Sequence, residues 1–102
     1  MININEKTFT QEVIKEKSLP VLVDFFANWC GPCRMQTPIL IDFANKNKDK
    51  IKVCKLDIDE CENLAVKYSV SSIPTLILFN HGEIVKKIIG LQNESNLQQL
   101  IK

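Results

Sequence analysis

Pro20-Val21-Leu22-Val23-Asp24-Phe25-Phe26-Ala27-Asn28-Trp29-Cys30-Gly31-Pro32-Cys33 is the stretch on which the fold turns. Its first eight residues are apolar except for one acid, which reads as a strand buried on both faces. From Pro32 onward the spacing of Met35, Ile39, Leu40, Phe43 and Ala44 predicts a helix that gives out in the polar segment Asn45 to Lys50, with Pro38 expected to kink it. Two cysteines therefore sit where a buried strand turns into a helix.

The flanks repeat that alternation. Upstream, Phe9, Val13 and Ile14 have helical spacing within Thr8 to Lys17. Downstream, Ile51 to Ile58 reads as a second central strand, followed by a short helix from about Glu60 to Tyr68 that turns Leu64 and Ala65 inward. Strand, helix, strand and helix in succession imply parallel pairing. Thr75 to Phe79 and Glu83 to Ile89 are two further strands, joined by the turn Asn80-His81-Gly82 into a hairpin that Gly90 ends. Asn93-Glu94-Ser95 opens an amphipathic C-terminal helix with Leu97, Leu100 and Ile101 on one face. The expected class is α/β, a mixed sheet with helices on both faces. No linker, repeat or low-complexity tract divides residues 1–102, so one domain is expected.

At 102 residues, 45% hydrophobic and 25% charged, the chain has the composition of an ordinary globular domain. Thirteen basic and twelve acidic residues are scattered to a net charge of +1, which provides no basic face for nucleic acid or anionic lipid. The opening Met1-Ile2-Asn3-Ile4-Asn5-Glu6 lacks the pattern of a secretory signal, and no apolar run approaches membrane-spanning length, so a cytoplasmic protein is expected. Four cysteines are too few for a disulfide-stapled scaffold and need separate explanations.

Cys30 and Cys33 have the spacing that brings two side chains together on one helical turn, so a reversible disulfide is natural there. The free N–H groups and positive dipole end of the helix favour a thiolate at Cys30, making it the attacking sulfur. Pro32 suits the first turn, and Cys33 is the deeper, resolving thiol. The same spacing is half of many zinc sites, but no second pair completes one: Cys54 lies in a predicted strand, and Cys61 follows beside a helix start without a knuckle turn. Metal and organic cofactor are accordingly not expected. Asp24 interrupts an otherwise apolar strand, so burial should raise its pKa unless it lies at an edge facing solvent.

Trp29-Cys30-Gly31-Pro32-Cys33, together with Val23-Asp24-Phe25, Lys55-Leu56-Asp57 and Ile73-Pro74-Thr75 in the same order and spacing, resembles the thioredoxin family over essentially the whole chain. The resemblance implies a central mixed sheet of four to five strands flanked by four helices. It also implies delivery of electrons to disulfide-containing proteins and re-reduction by an NADPH-dependent thioredoxin reductase, by a monomer. On the same resemblance Asp24 lies beneath the cysteine pair and helps deprotonate Cys33, with Lys55 nearby. Pro74 is cis, and Trp29, Gly31, Pro32, Ile73, Pro74, Gly90 and Leu91 border a shallow substrate groove around Cys30. Blander readings stand beside these: Lys55 as a solvated strand lysine, Trp29 as core, Pro74 as a common proline at the start of a strand. A module that only binds partners through the groove, and an oxidase or isomerase of a secretory compartment, are the rival functions.

Several positions depart from the family pattern. Phe26 stands where a second tryptophan is common, Ser69 and Ser72 where glycine is common, and Gln36 and Thr37 where small apolar residues are usual. Cys54 is expected to be a small buried hydrophobe, whereas Cys61, at a helix start, is a candidate for an exposed thiol open to oxidation. His81 in the hairpin turn is expected to be solvated.

Overall fold

The computed structural model describes residues 1–102. Five strands, β1 (Ile2–Ile4), β2 (Val21–Phe26), β3 (Lys52–Asp57), β4 (Thr75–Asn80) and β5 (Glu83–Ile89), form one sheet in the order β1-β3-β2-β4-β5. β1 and β2 both pair parallel with β3, while β4 runs antiparallel to β2 and β5 antiparallel to β4. The helices are a π-helical turn (Thr10–Ile14), α1 (Gly31–Lys46), α2 (Glu62–Lys67) and α3 (Glu94–Gln98), the last continuing as a 3-10 turn over Gln99–Ile101.

β2 lies at the centre and is buried on both faces, as its run of apolar residues requires. Side chains alternate across the sheet. Val21, Val23 and Phe25 join Cys54, Leu56, Ile77 and Phe79 in one core under the π-helical turn and α2. Leu22 joins Val53, Leu76 and Leu78 in a second core with Leu40 and Phe43 of α1 and Leu97 of α3. By the same alternation Asp24 points to the second face, beneath α1. In the first core, the rings of Phe9, Tyr68 and Phe79 pack with centroids 5.4–5.9 Å apart, tying the N-terminal segment to the end of α2.

One expectation is corrected at the N-terminus, and one strand is added to the reading. The helix expected over Thr8 to Lys17 is only the turn Thr10–Ile14, closed by an i→i−5 bond from the Lys15 N–H to the Thr10 carbonyl. Asn5 and Thr8 cap it reciprocally, with the Phe9 and Glu12 N–H groups bonding the Asn5 and Thr8 carbonyls ahead of the turn, whereas after it the Ser18 N–H goes to the Glu16 carboxylate and the helix ends short of Lys17. The strand β1 has no counterpart in the sequence reading. Three residues are too few to show alternation, and only pairing with Cys54, Lys55 and Leu56 of β3 makes them a strand.

The hairpin turn is as expected: His81 and Gly82 both have positive φ, 52° and 80°, the geometry of a two-residue turn matched to the strand twist. Ser69 also has positive φ, 56°. Its N–H bonds the Val66 carbonyl and the Val70 N–H reaches back to the Ala65 carbonyl, a helix stop whose left-handed position favours glycine. Ser69→Gly should therefore raise stability by about 0.5–1 kcal/mol, read as a higher urea midpoint with an unchanged slope. A lower midpoint would mean that the serine hydroxyl contributes more than its backbone strain costs.

Candidate active site

Cys30 is the N-cap of α1, with φ −88° and ψ 115°, and its sulfur accepts the Cys33 N–H at 3.2 Å. Gly31 and Pro32 fill the first turn, where proline's missing N–H has no intrahelical partner to lose. The two cysteines are joined in a disulfide, their Cα atoms 5.2 Å apart. Both are buried, at 5% exposure for Cys30 and 1% for Cys33, and they form a small apolar cluster with Ala27 against which Phe26, Ile58 and Ile73 pack. A sulfur at a helix N-terminus that accepts a main-chain N–H is stabilised as a thiolate once the disulfide opens.

The Ile73–Pro74 bond is cis, and the Ile73 carbonyl lies 3.8 Å from Cys30 Sγ. The Pro74 carbonyl accepts the Gly90 N–H at 2.8 Å, which brings Gly90 and Leu91 alongside. Gly90 has φ 94°, a conformation that requires glycine, and its missing side chain would point into open space. Trp29 is 67% exposed, with its indole N–H donated to the Asp59 carboxylate at 2.9 Å, so it stands over the surface rather than in the core. No cavity is lined by Trp29, Ile73, Gly90 or Leu91. They border open surface, suited to a flat chain segment more than to a small molecule.

A separate cavity of about 290 Å³ opens behind Cys33, lined by Phe26, Asn28, Thr37 and Lys55 among others. Asp24 is not among its walls. It is fully buried, neither carboxylate oxygen has a hydrogen-bond partner, and desolvation pushes its pKa up to about 7 against the opposing pull of Lys55. Lys55 is the register partner of Asp24 on β3, but its ammonium rests 4.4 Å over the Phe26 ring instead of pairing with the carboxylate.

Sequence reasoning missed Asp59 and marked Gln36 and Thr37 only as departures from the family pattern, without a role. Thr37 donates its hydroxyl to the Cys33 carbonyl at 3.2 Å, and Gln36 is fully buried with both ends of its amide on the main chain of Gln92. Gln36 was detectable as a polar residue on the buried face of α1, three residues after Cys33. Cys61 corrects an expectation: it is completely buried in the first core, and burial raises its pKa, so it is no exposed thiol. Cys54 is buried as expected, its pKa pushed up to about 11 by desolvation. No group of three or more His, Cys, Asp and Glu side chains converges to hold a metal ion.

The thioredoxin family model matches residues 1–102. A thioredoxin of Rickettsia felis is 47% identical over 95 residues, covering 93% of this chain and 90% of that protein. One from Pseudomonas aeruginosa is 43% identical over 97 residues, 95% of this chain and 89% of the relative. The M-type chloroplastic thioredoxin of Chlamydomonas reinhardtii is 42% identical over 99 residues, 97% and 70% respectively.

The unpaired carboxyl at Asp24 has a measurable consequence. In the unfolded chain it ionises near 3.8 and in the folded chain near 7, so the folded state holds the extra proton between those values. Its contribution to stability is thus undiminished below about pH 4, falls as pH rises to about 7, and is flat beyond. Asp24→Asn should be more stable than the parent at pH 8, by up to about 4 kcal/mol, with the gap closing below pH 4. Urea titrations across that range read it directly. A gap independent of pH would mean the carboxylate is solvated.

Proposed function

The chain belongs to the thioredoxin family, and from that premise we propose the assignment of roles within its site and the partners that serve it. As a family member it is a thiol-disulfide oxidoreductase that works through Cys30 and Cys33, with disulfide-containing substrates and a reductase as partners in general. The family's chemistry runs on these cysteines without a prosthetic group.

In the proposed cycle, the reduced chain begins with a thiolate at Cys30, held by the Cys33 N–H and the helix N-terminus. Cys30 Sγ attacks one sulfur of a substrate disulfide, forming a mixed disulfide and expelling the other substrate sulfur as a thiolate. Cys33 loses its proton, ultimately to Asp24, and attacks Cys30 Sγ. The second substrate sulfur departs as a thiolate while the Cys30–Cys33 bond closes, and the two substrate thiolates then take their protons from water, one of them replaceable by the proton Asp24 gives up. A carboxyl with a pKa of about 7 is poised to exchange that proton at neutral pH. Lys55 lowers the cost of its ionised form. Trp29, Gly31, Pro32, Ile73, Pro74, Gly90 and Leu91 bear the substrate segment against Cys30.

The observation that carries this reading is the capped sulfur of Cys30 beside the Ile73 carbonyl, at the border of the open surface. The proposed donor is an NADPH-dependent thioredoxin reductase, and the proposed form is a monomer of one domain over residues 1–102. A cytoplasmic location is supported by two buried cysteines left unpaired, which suits a reducing compartment, while no helix is long and apolar enough to cross a membrane.

Cys33→Ser should accumulate a mixed disulfide between Cys30 and a protein substrate, visible as a thiol-sensitive band, while Cys30→Ser forms none and loses turnover. A reversed pattern would exchange the roles of the two sulfurs. The reduction potential of the pair should fall well below the secretory-compartment poise of about −180 to −210 mV. A value at or above it would assign oxidase or isomerase chemistry and a different compartment.

A further inference from the structure

Gln36 ties the helix that carries the cysteines to the far rim of the substrate surface. It lies one helical turn after Cys33, is completely buried, and reaches across to the segment after β5. There its Oε1 accepts the Gln92 N–H at 2.7 Å and its Nε2 donates to the Gln92 carbonyl at 3.0 Å. Both bonds together fix the amide's orientation, as a neighbouring strand would.

Three segments surround Cys30, and the other ties between them are already described: the Ile73 carbonyl beside the sulfur, and the Pro74 carbonyl bonded to Gly90. The Gln36 bonds join the third segment to α1 itself, one residue past Leu91. The far side of that segment is held by the Asn93 cap of α3, whose side chain accepts the Asn96 N–H at 2.8 Å. Without Gln36, Gly90 to Gln92 would be anchored to the sheet and to α3 but not to the helix whose first turn carries the reacting sulfurs. Two partly buried main-chain groups would also lose their partners.

We propose that Gln36 is a positioning residue for protein substrates: by clamping Gln92 it holds the Gly90–Leu91 rim at a fixed offset from the Cys30–Cys33 pair. It touches neither sulfur and takes no proton. This rests on the substrate surface proposed above. Its effect therefore falls on substrates that need the rim, and spares those that need only an accessible sulfur.

The test compares wild type with Gln36→Met, a variant of similar volume that cannot form either bond, using insulin as a protein disulfide and 5,5′-dithiobis(2-nitrobenzoate) as a small one. The expected result is a rise in KM for insulin of roughly fivefold or more, since a pair of hydrogen bonds is lost, with kcat within about twofold. The rate with the small disulfide and the reduction potential of the pair stay at wild-type values, and the Gln92 amide exchanges its hydrogen faster. An unchanged KM despite faster exchange overturns the proposal. So does a fall in kcat or a shifted potential, because either would place Gln36 in the sulfur chemistry. If Gln36→Met does not fold, Gln92→Pro carries the test: it removes the N–H that Gln36 accepts while leaving Gln36 in place, should raise KM for insulin with kcat within about twofold, and overturns the proposal if KM does not move. Wild type inactive on both disulfides would remove the proposed function and this inference with it. Wild type active with a Gln36→Met variant indistinguishable from it would remove this inference alone.

Discussion

Burial of β2 on both faces is what the rest of the molecule is arranged to achieve. A central strand of Val, Leu and Phe needs a covering layer on each side. The chain supplies α1 and α3 to one face and the π-helical turn and α2 to the other. The strand must then run straight into a helix that doubles back over it, and the only place for the reversal is the end of the sheet. Cys30 occupies that reversal as the N-cap of α1. The exposed end of a buried strand, the free N–H groups of a helix start and a thiol capping them are thus one structural solution, and its chemistry follows from the packing.

Two buried polar side chains lie on the α1 side of the site, and they are treated oppositely. Gln36 has both ends of its amide bonded, which makes it a rigid strut with no tendency to titrate. Asp24 has neither oxygen bonded, and its nearest cation by register is turned onto an aromatic ring. A satisfied buried group holds geometry. An unsatisfied one stores a proton at an unusual pH, at a cost to stability that the two apolar cores carry. The proposed cycle, in which a proton moves beside a held protein segment, uses one of each.

Most strands and helices were legible because they are periodic or uniformly apolar over six residues or more: β2, β3, the β4–β5 hairpin, and α1 despite Pro38 in its interior. The cysteine pair was legible because its spacing and its junction are both local. Asp24 announced itself by interrupting an apolar run. What failed was short or conditional. β1 exists only through its pairing with β3, and the N-terminal helix was overextended because Phe9, Val13 and Ile14 mark a buried side without marking how far the backbone bonds continue. Cys61 sits at a helix start, as expected, yet points into the core, because a cap position fixes the backbone and leaves the side chain's direction to whatever packs beside it.

Local order in the chain thus accounts for the α/β class, the redox pair and the order of its elements, since each depends on residues close together along the backbone. Folding alone brought Asp59 to Trp29, Ile73 to Cys30 and Gln36 to Gln92, pairs separated by 30 to 56 residues. Their hydrogen bonds are between groups that carry no mark of each other in the sequence. A backbone carbonyl belongs to every residue, and which one faces a sulfur or an amide is settled only when the two layers close over the sheet.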